Sequence, residues 1–182
     1  MTSMYKNTHD RASSAASFEQ HQGKSEDPNQ KQSQSKSQGA RSTQSLYQEA
    51  LLKHHKAPVG FELEFDANVE HKGVNPACGD EITVVCKVEG QNILHLGFHG
   101  DSCAICRASA SLMSQNLVGQ SIDNCQQLIS SVNAVYSTEV SFVGGMAEKL
   151  SPLIAVKQFP VRQQCAVLPW NTLAKALEKH HS

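Results

Sequence analysis

The sequence has no long hydrophobic run and no excess of charge of either sign. Its apolar runs span only a few residues, as from Ala166 to Trp170, whereas a helix that crosses a bilayer needs about 20. Its 16 Lys and Arg side chains nearly balance its 17 Asp and Glu side chains, so the formal net charge is -1. A strong positive field is what draws a protein to nucleic acid or to an anionic membrane. We therefore expect neither a membrane nor a nucleic acid among the partners.

Branched aliphatic side chains are missing from the first 45 residues, and the first of them is Leu46. The same stretch contains ten Ser and seven Gln, so it cannot bury enough apolar surface to offset the entropy lost on ordering. We expect residues 1–44 to form a disordered polar tail and residues 45–182 to form one folded domain.

Secretory and disulfide signals are also lacking. The N-terminus has no apolar core of the kind found in a signal peptide, and six cysteines are few for a disulfide framework in 182 residues. We therefore expect a cytoplasmic protein with reduced thiols. In a reducing compartment, cysteines beside Asp, Gly and Pro in loops are more often metal ligands or nucleophiles than halves of a disulfide.

The hydrophobic periodicity predicts an α+β domain. Apolar residues at helical spacing from Leu46 predict a first helix that ends near Pro58. Strict alternation of apolar and polar side chains from 61 to 70 predicts a half-buried strand. Similar alternation at 82–88 and 94–98, around a turn at 89–92, predicts a hairpin. Together these segments predict a three-stranded antiparallel sheet packed against several helices, which we expect at 102–118, 121–132, 146–154 and 163–179.

Three cysteines and one aspartate form the candidate site. The block NPACGD puts Cys78 and Asp80 two positions apart in a loop that proline and glycine enforce. Cys103 falls at the start of a helix, where the dipole and the free backbone amides favour an anionic thiolate. Cys165 opens the last helix. These residues can supply a tetrahedral set of ligands, and thiolates select zinc, iron or iron–sulfur clusters. Spacing alone does not separate this grouping from a chance one.

The other three thiols have plainer explanations. Cys86 shares a strand face with apolar residues and Cys125 shares an apolar helical stripe, so both are assigned to the core. Cys106 forms a CxxC pair with Cys103, a spacing that suits metal binding, redox work or plain packing. We favour packing for Cys106.

Four ordered blocks of the sequence resemble the U-type iron–sulfur cluster assembly proteins, a family that includes SufU, IscU and the N-terminal domain of NifU. The blocks are LYQEALLKHHKAPVG, NPACGD, GFHGDSCAICRASASLM and FPVRQQCAVLPWNTL, within residues 45–180. Within the family these motifs resemble SufU rather than IscU, because the chain has FPxRxxC around Cys165 and a long segment, Ser121 to Val156, ahead of it. IscU would carry a His directly before that cysteine, where this chain has Gln164.

The resemblance implies a role for each residue of the site. The metal ligands would be Cys78, Asp80, Cys103 and Cys165. The metal is zinc in SufU-like proteins, and Arg162 would pair with a displaced ligand. Cys78 would leave the metal and take sulfur from the persulfide of a SufS-like cysteine desulfurase, while a His of that partner takes the vacated position. The chain would then act as a sulfurtransferase-like partner of the desulfurase, rather than a stand-alone enzyme, and would serve the downstream iron–sulfur assembly machinery.

Two further functions remain open beside the zinc-dependent sulfur acceptor. The same ligands can hold iron or a transient two-iron two-sulfur cluster, as in an assembly scaffold that hands the cluster on. A purely structural zinc-binding module would need a closed site. The chain departs from the family in its long tail, at Cys106, where SufU relatives tend to have no thiol, and at residues 57–60, where APVG replaces NPRNxG.

Overall fold

The computed structural model describes residues 44–137 and 145–180. The expected tail, residues 1–44, lies outside these ranges except for Gln44, at which the first helix begins. The architecture is the predicted α+β class. In chain order the elements are α1 (44–56), β1 (Val69–Asn75), β2 (Asp80–Glu89), β3 (Asn92–His99), α2 (Ala104–Leu117), α3 (Ile122–Ser137), α4 (Gly145–Glu148), a 3-10 helix (Ser151–Gln158) and α5 (Pro160–His180).

The sheet has three antiparallel strands in the order β1-β2-β3. Val84 in the middle of β2 pairs with His71 of β1 and with Phe98 of β3. The turn at 89–92 joins β2 and β3, so the predicted hairpin is confirmed. The alternating residues of β2 that the sequence assigns to the core are all buried: Ile82, Val84, Cys86 and Val88.

The prediction of the first strand at 61–70 is wrong. Phe61 forms only an isolated bridge to Phe98, and Glu62 has a φ of 52°, which breaks the extended run at its start. The chain then crosses the sheet without pairing, and β1 begins at Val69 on the opposite edge. Leu63, which the alternation points inward, is about half exposed. Alternation of apolar and polar residues indicates an extended chain with two different faces. It does not indicate whether that chain is hydrogen-bonded to a neighbouring strand.

The true first strand is hidden because its inward face is not apolar. In β1 the inward positions after Val69 are His71, Gly73 and Asn75. Gly73 is required by close packing, since a Cβ there would lie 2.0 Å from Oγ1 of Thr172 in α5. A strand that needs a glycine against a helix and an asparagine at its end has no hydrophobic alternation to detect.

The predicted helices are present with shifted ends. Helix α2 begins at Ala104 with Cys103 as its N-cap, two residues later than expected. The helix expected at 146–154 divides into α4 and the 3-10 helix. Helix α5 begins at Pro160, and Pro169 lies inside it. No helix among the residues described is long and apolar enough to cross a membrane.

Helices α2 and α5 are tied together in the core by buried hydrogen bonds. Nε1 of the fully buried Trp170 donates to Oγ of Ser109 at 2.9 Å. Ser109 in turn donates to the carbonyl of Ala166 at 2.6 Å. Unpaired polar groups in a core are costly, so this chain of bonds holds the two helices in one relative position. Both helices carry candidate ligands at their starts.

Candidate metal centre

Cys78 lies on an exposed four-residue turn, 76–79, between β1 and β2. Its backbone N–H donates to the carbonyl of Asn75 at 3.2 Å, and the Asn75 side chain accepts from the N–H of Ala77 at 3.3 Å. Gly79 closes the turn with a φ of 71°, a conformation that favours glycine. The turn therefore presents the Cys78 thiol two residues before β2 begins.

Asp80 is the first residue of β2 and is buried. Its Oδ1 accepts from the backbone N–H of Cys103 at 2.6 Å, and its Oδ2 lies 3.6 Å from the Cys103 sulfur. A carboxylate at this point also complements the positive end of the α2 dipole. Asp80 thus fixes the start of α2 against the start of β2.

The segment between β3 and α2 crosses β2 closely at this end of the sheet. Gly100 has a φ of 123°, and a Cβ there would lie 2.4 Å from the carbonyl oxygen of Glu81. The N–H of Glu81 donates to the carbonyl of Asp101 at 2.8 Å. Gly100 is therefore needed to bring Cys103 beside Asp80.

Cys165 reaches the same point from the first turns of α5 and is completely buried. Its Sγ donates to Sγ of Cys78 at 2.9 Å, and it accepts from Nδ2 of Asn75 at 3.5 Å. Burial, followed by the hydrogen bonds to Cys78 and Asp80, raises the pKa of Cys165, so the thiol keeps its proton near neutral pH until a metal displaces it.

Arg162 lies one turn before Cys165 on α5 and faces the same thiols. Its Nη1 is 3.8 Å from Sγ of Cys78. A hydrogen bond to Cys165 and the nearby sulfurs of Cys78 and Cys103 raise the pKa of Arg162 further above its ordinary value. The guanidinium therefore remains a cation beside the turn.

The donor set suits a thiophilic metal. One ligand atom each from Cys78, Asp80 and Cys165 lies within 4.8 Å of the others, and Cys103 adjoins the group through Asp80. When two ligand atoms are each bonded to one zinc ion at about 2.0–2.3 Å, the distance between the two ligand atoms also falls within this range of up to 4.8 Å. All four residues predicted from the sequence thus meet at one end of the sheet.

The remaining thiols are all fully buried. Cys86 and Cys125 lie among apolar core residues, and burial raises the pKa of each to about 12. The prediction that both belong to the core is confirmed. Cys106 also packs in the core, as favoured, but its backbone N–H donates to Sγ of Cys103 at 3.5 Å.

Sequence reasoning missed Asn75 and Gly100. Asn75 hydrogen-bonds both the turn and the Cys165 sulfur, and Gly100 permits the close crossing before α2. Asn75 opens the NPACGD block, where the sequence reads it only as a loop former. A polar residue placed directly before a cysteine-bearing turn is the signal that could have identified it.

Comparison of the sequence with known proteins identifies its family. The sequence model of the NifU-like N-terminal domain family matches residues 46–182. The iron-sulfur cluster assembly scaffold protein IscU of Thermotoga maritima is 34% identical over 134 residues, which are 74% of this chain and 94% of that protein. The zinc-dependent sulfurtransferase SufU of Bacillus subtilis is 31% identical over 137 residues, which are 74% of this chain and 90% of that protein.

Solved structures share the fold. A NifU-like N-terminal protein from Brucella abortus has a TM-score of 0.67 at 15% identity, covering 72% of this chain and 92% of that chain, a likeness that concerns the fold alone. A SUF-system scaffold protein, FiSufU, from Fervidobacterium islandicum AW-1 has a TM-score of 0.60 at 28% identity. The match covers 71% of this chain and 94% of that chain. Since the family match spans most of the chain and the fold agrees, the protein belongs to the NifU-like N-terminal domain family, as the four sequence blocks predicted.

Proposed function

We propose that this protein is a zinc-dependent sulfur acceptor in cytoplasmic iron–sulfur cluster assembly, which takes persulfide sulfur from a cysteine desulfurase at Cys78. One observation carries the proposal. Cys78 lies on an exposed turn, whereas Asp80, Cys103 and Cys165 are held at the starts of β2, α2 and α5. A site in which one half-buried thiol is carried by an exposed turn, and the other three donors are anchored, can release that thiol without losing the others.

Zinc would be held by Cys78, Asp80, Cys103 and Cys165. When bound, zinc keeps thiols deprotonated near neutral pH, and the thiolate is the form that attacks in sulfur exchange. The B. subtilis relative is named a zinc-dependent sulfurtransferase, which supports this choice of metal.

The sulfur-transfer step needs no oxidant. The Cys78 thiolate attacks the outer sulfur of the desulfurase persulfide, a new sulfur–sulfur bond forms on Cys78, and the desulfurase cysteine leaves as a thiolate. Arg162 supports this step because its cation, 3.8 Å from the Cys78 sulfur, favours the anionic thiolate and persulfide once Cys78 has left the metal.

An apolar surface beside the site suits docking of the desulfurase. A cavity of about 300 Å³ is lined by α1, by the start of α2 directly after Cys103, and by Phe159 just before α5. Leu52, Phe159 and Val161 are each about half exposed or more. Exposed apolar side chains next to the start of α2 are typical of a surface that another protein covers.

The second candidate is a scaffold that assembles and hands on a two-iron two-sulfur cluster on the same four residues. It is favoured by the donor set, since thiolates also select iron, and by the T. maritima relative, which is named an assembly scaffold. A structural zinc module is disfavoured, because the relatives are named for cluster assembly and for sulfur transfer and not for a structural role.

The test combines metal content with mass spectrometry. The chain purified without added iron should be colourless with one zinc, whereas a brown preparation with charge-transfer bands would support the scaffold. After incubation with a cysteine desulfurase and cysteine, peptide mapping should find one added sulfur on Cys78. We expect the Cys78→Ser variant to accept no sulfur while remaining folded. We expect the Cys125→Ala variant, which loses only a buried thiol of the hydrophobic core, to accept sulfur normally. Added sulfur on the Cys78→Ser protein would contradict the proposal.

A further inference from the structure

The Asn75 side chain links Cys165 to the turn that carries Cys78. It is buried; its Nδ2 donates to Sγ of Cys165 at 3.5 Å, and its Oδ1 accepts from the backbone N–H of Ala77 at 3.3 Å. The backbone carbonyl of Asn75 accepts from the N–H of Cys78 at 3.2 Å. Because only the oxygen of the amide can accept from Ala77, the amide nitrogen faces the Cys165 sulfur. Asn75 therefore holds the turn and the buried thiol at the same time.

Sulfur carried on Cys78 would lie against a second thiol. The sulfurs of Cys78 and Cys165 are 2.9 Å apart. Cys165 is completely buried, so a persulfide on another protein cannot reach it, whereas a persulfide on Cys78 forms beside it. A thiolate can attack either sulfur of such a bond. The lifetime of a persulfide on Cys78 therefore depends on how readily the Cys165 sulfur attacks.

Two reactions of Cys165 would remove the sulfur from Cys78, and neither needs an oxidant. When the Cys165 thiolate attacks the outer sulfur, a sulfur–sulfur bond forms on Cys165 and Cys78 leaves as a thiolate. When it attacks the inner sulfur, a disulfide forms between the two cysteines and hydrosulfide leaves. In both reactions the sulfur–sulfur bond of the persulfide breaks, and its electron pair departs with the leaving group.

The hydrogen bond from Asn75 opposes both reactions. An N–H that donates to a thiolate stabilises the negative charge on sulfur, which lowers the tendency of that sulfur to attack. The amide is buried and bonded at both ends, so it cannot turn away from Cys165 without also losing its bond to Ala77. The Cys165 sulfur consequently keeps a fixed N–H partner while the Cys78 turn opens.

We propose that Asn75 is a positioning residue, which keeps the transferred sulfur on Cys78 by holding the Cys165 sulfur in an unreactive state. The inference rests on the proposed function and deepens it. A role in the turn alone is a different claim, and substitution separates the two. An aspartate at this position can make the same bond to Ala77, but its carboxylate has no N–H to give to Cys165.

The experiment compares the full-length wild type with Asn75→Asp and with Asn75→Ser, whose hydroxyl also makes the turn bond but adds no charge. Asn68→Asp is the matched control. Asn68 directly precedes β1 at the opposite end of the sheet, and its Nδ2 donates to the carbonyl of Val88 at 2.8 Å. Each zinc-loaded chain receives sulfur from a cysteine desulfurase and cysteine and is then separated from both. Alkylation and peptide mapping follow the added sulfur over time.

We expect the added sulfur to remain on Cys78 in the wild type and in Asn68→Asp. In both Asn75 variants it should leave Cys78 at least about tenfold faster, which is the scale on which a lost outer-shell partner acts. The products should be a persulfide on Cys165, or the disulfide between Cys78 and Cys165 together with free hydrosulfide.

A spectroscopic readout does not depend on sulfur transfer. Cobalt replaces zinc in each unreacted chain, and the energy of its sulfur-to-cobalt charge-transfer band reports how tightly the thiolates hold their electrons. Loss of the N–H bond to Cys165 should move this band to lower energy in both Asn75 variants and leave it unchanged in Asn68→Asp. A variant that folds but accepts no sulfur is decided by this band alone.

Equal persulfide lifetimes in the wild type and the Asn75 variants, or an unshifted cobalt band, would overturn the inference and leave the proposed function intact. Faster loss of sulfur whose products do not involve Cys165 would do the same. A wild-type chain that takes no sulfur on Cys78 would instead overturn the proposed function, and the inference with it.

Discussion

The thiols at the end of the sheet and the thiols in its interior differ in their neighbours, not in their burial. Cys165 is as buried as Cys86 and Cys125. Yet Cys165 is hydrogen-bonded to a second thiol and to an asparagine, whereas Cys86 and Cys125 are neighbours within the hydrophobic core. Exposure alone would thus have classed Cys165 with the core. The hydrogen-bond partners of a thiol are the better guide to its chemistry.

Position within an element explains the difference. Cys86 lies in the middle of β2 and Cys125 in the first turn of α3, where their side chains fill the core. Cys78 lies in a turn, Cys103 and Cys165 lie near the starts of two helices, and the turn and both helix starts meet at one end of the sheet. Element ends supply free backbone donors and access to solvent, which a reactive site needs.

Removing the metal should have the largest effect and should act on one region only. A ligand at a thousandfold excess over its Kd stabilises a fold by about 4 kcal/mol, so a strong chelator should lower the melting temperature clearly. Hydrogen exchange should accelerate at the 76–79 turn and at the starts of α2 and α5, and least in the middle of β2. An unchanged melting curve would argue against a bound metal.

Alkylation should separate the two sets of thiols kinetically. A thiol with a pKa of about 12, as for Cys86 and Cys125, has about 3,000-fold less thiolate near neutral pH than an ordinary cysteine with a pKa of about 8.5. We expect both to react at least that much more slowly in the folded chain, and the rate to rise with pH. In denaturant all six cysteines should react alike. Equal rates in the folded chain would show that these two thiols are accessible.

Asp80→Ala should weaken the site and destabilise α2. It removes the carboxylate that accepts from the Cys103 N–H, and hydrogen bonds to charged groups contribute about 1.5–3 kcal/mol. We expect a loss of about 2 kcal/mol in the metal-free chain, measured by urea unfolding, together with weaker zinc binding. Asp66→Ala is the control, since Asp66 is an exposed carboxylate paired with Lys87, and it should change neither quantity appreciably.

Cys86→Ala and Cys125→Ala should have the smallest effect, and it should be confined to stability. Each removes one buried sulfur, which costs about 1–2 kcal/mol through lost packing. Both variants should keep one zinc, as measured by elemental analysis. Loss of the metal in either would mean that the division between site and core thiols is drawn in the wrong place.

The hairpin and the apolar helix faces could be predicted because their patterns are local. The alternation in β2 and the stripe in α3 each record which side of one element is buried. The strand at Val69–Asn75 could not be predicted, since its inward residues contact α5 and the following turn and do not form a hydrophobic face. The run at 61–70 gave a wrong prediction although its side chains alternate. The positive φ of Glu62 and the crossing to the far edge of the sheet keep most of this run from pairing with a neighbouring strand.

The sequence by itself determined the fold class, the family and the residue types of the site, because periodicity and ordered motifs are written along the chain. Only the tertiary structure decided how the site is held. The contact of Asp80 with Cys103 and the 2.9 Å approach of Cys165 to Cys78 both join segments that are distant in sequence. Such contacts depend on the docking of α2 and α5 against the end of the sheet, and no local pattern encodes a distance between separate elements.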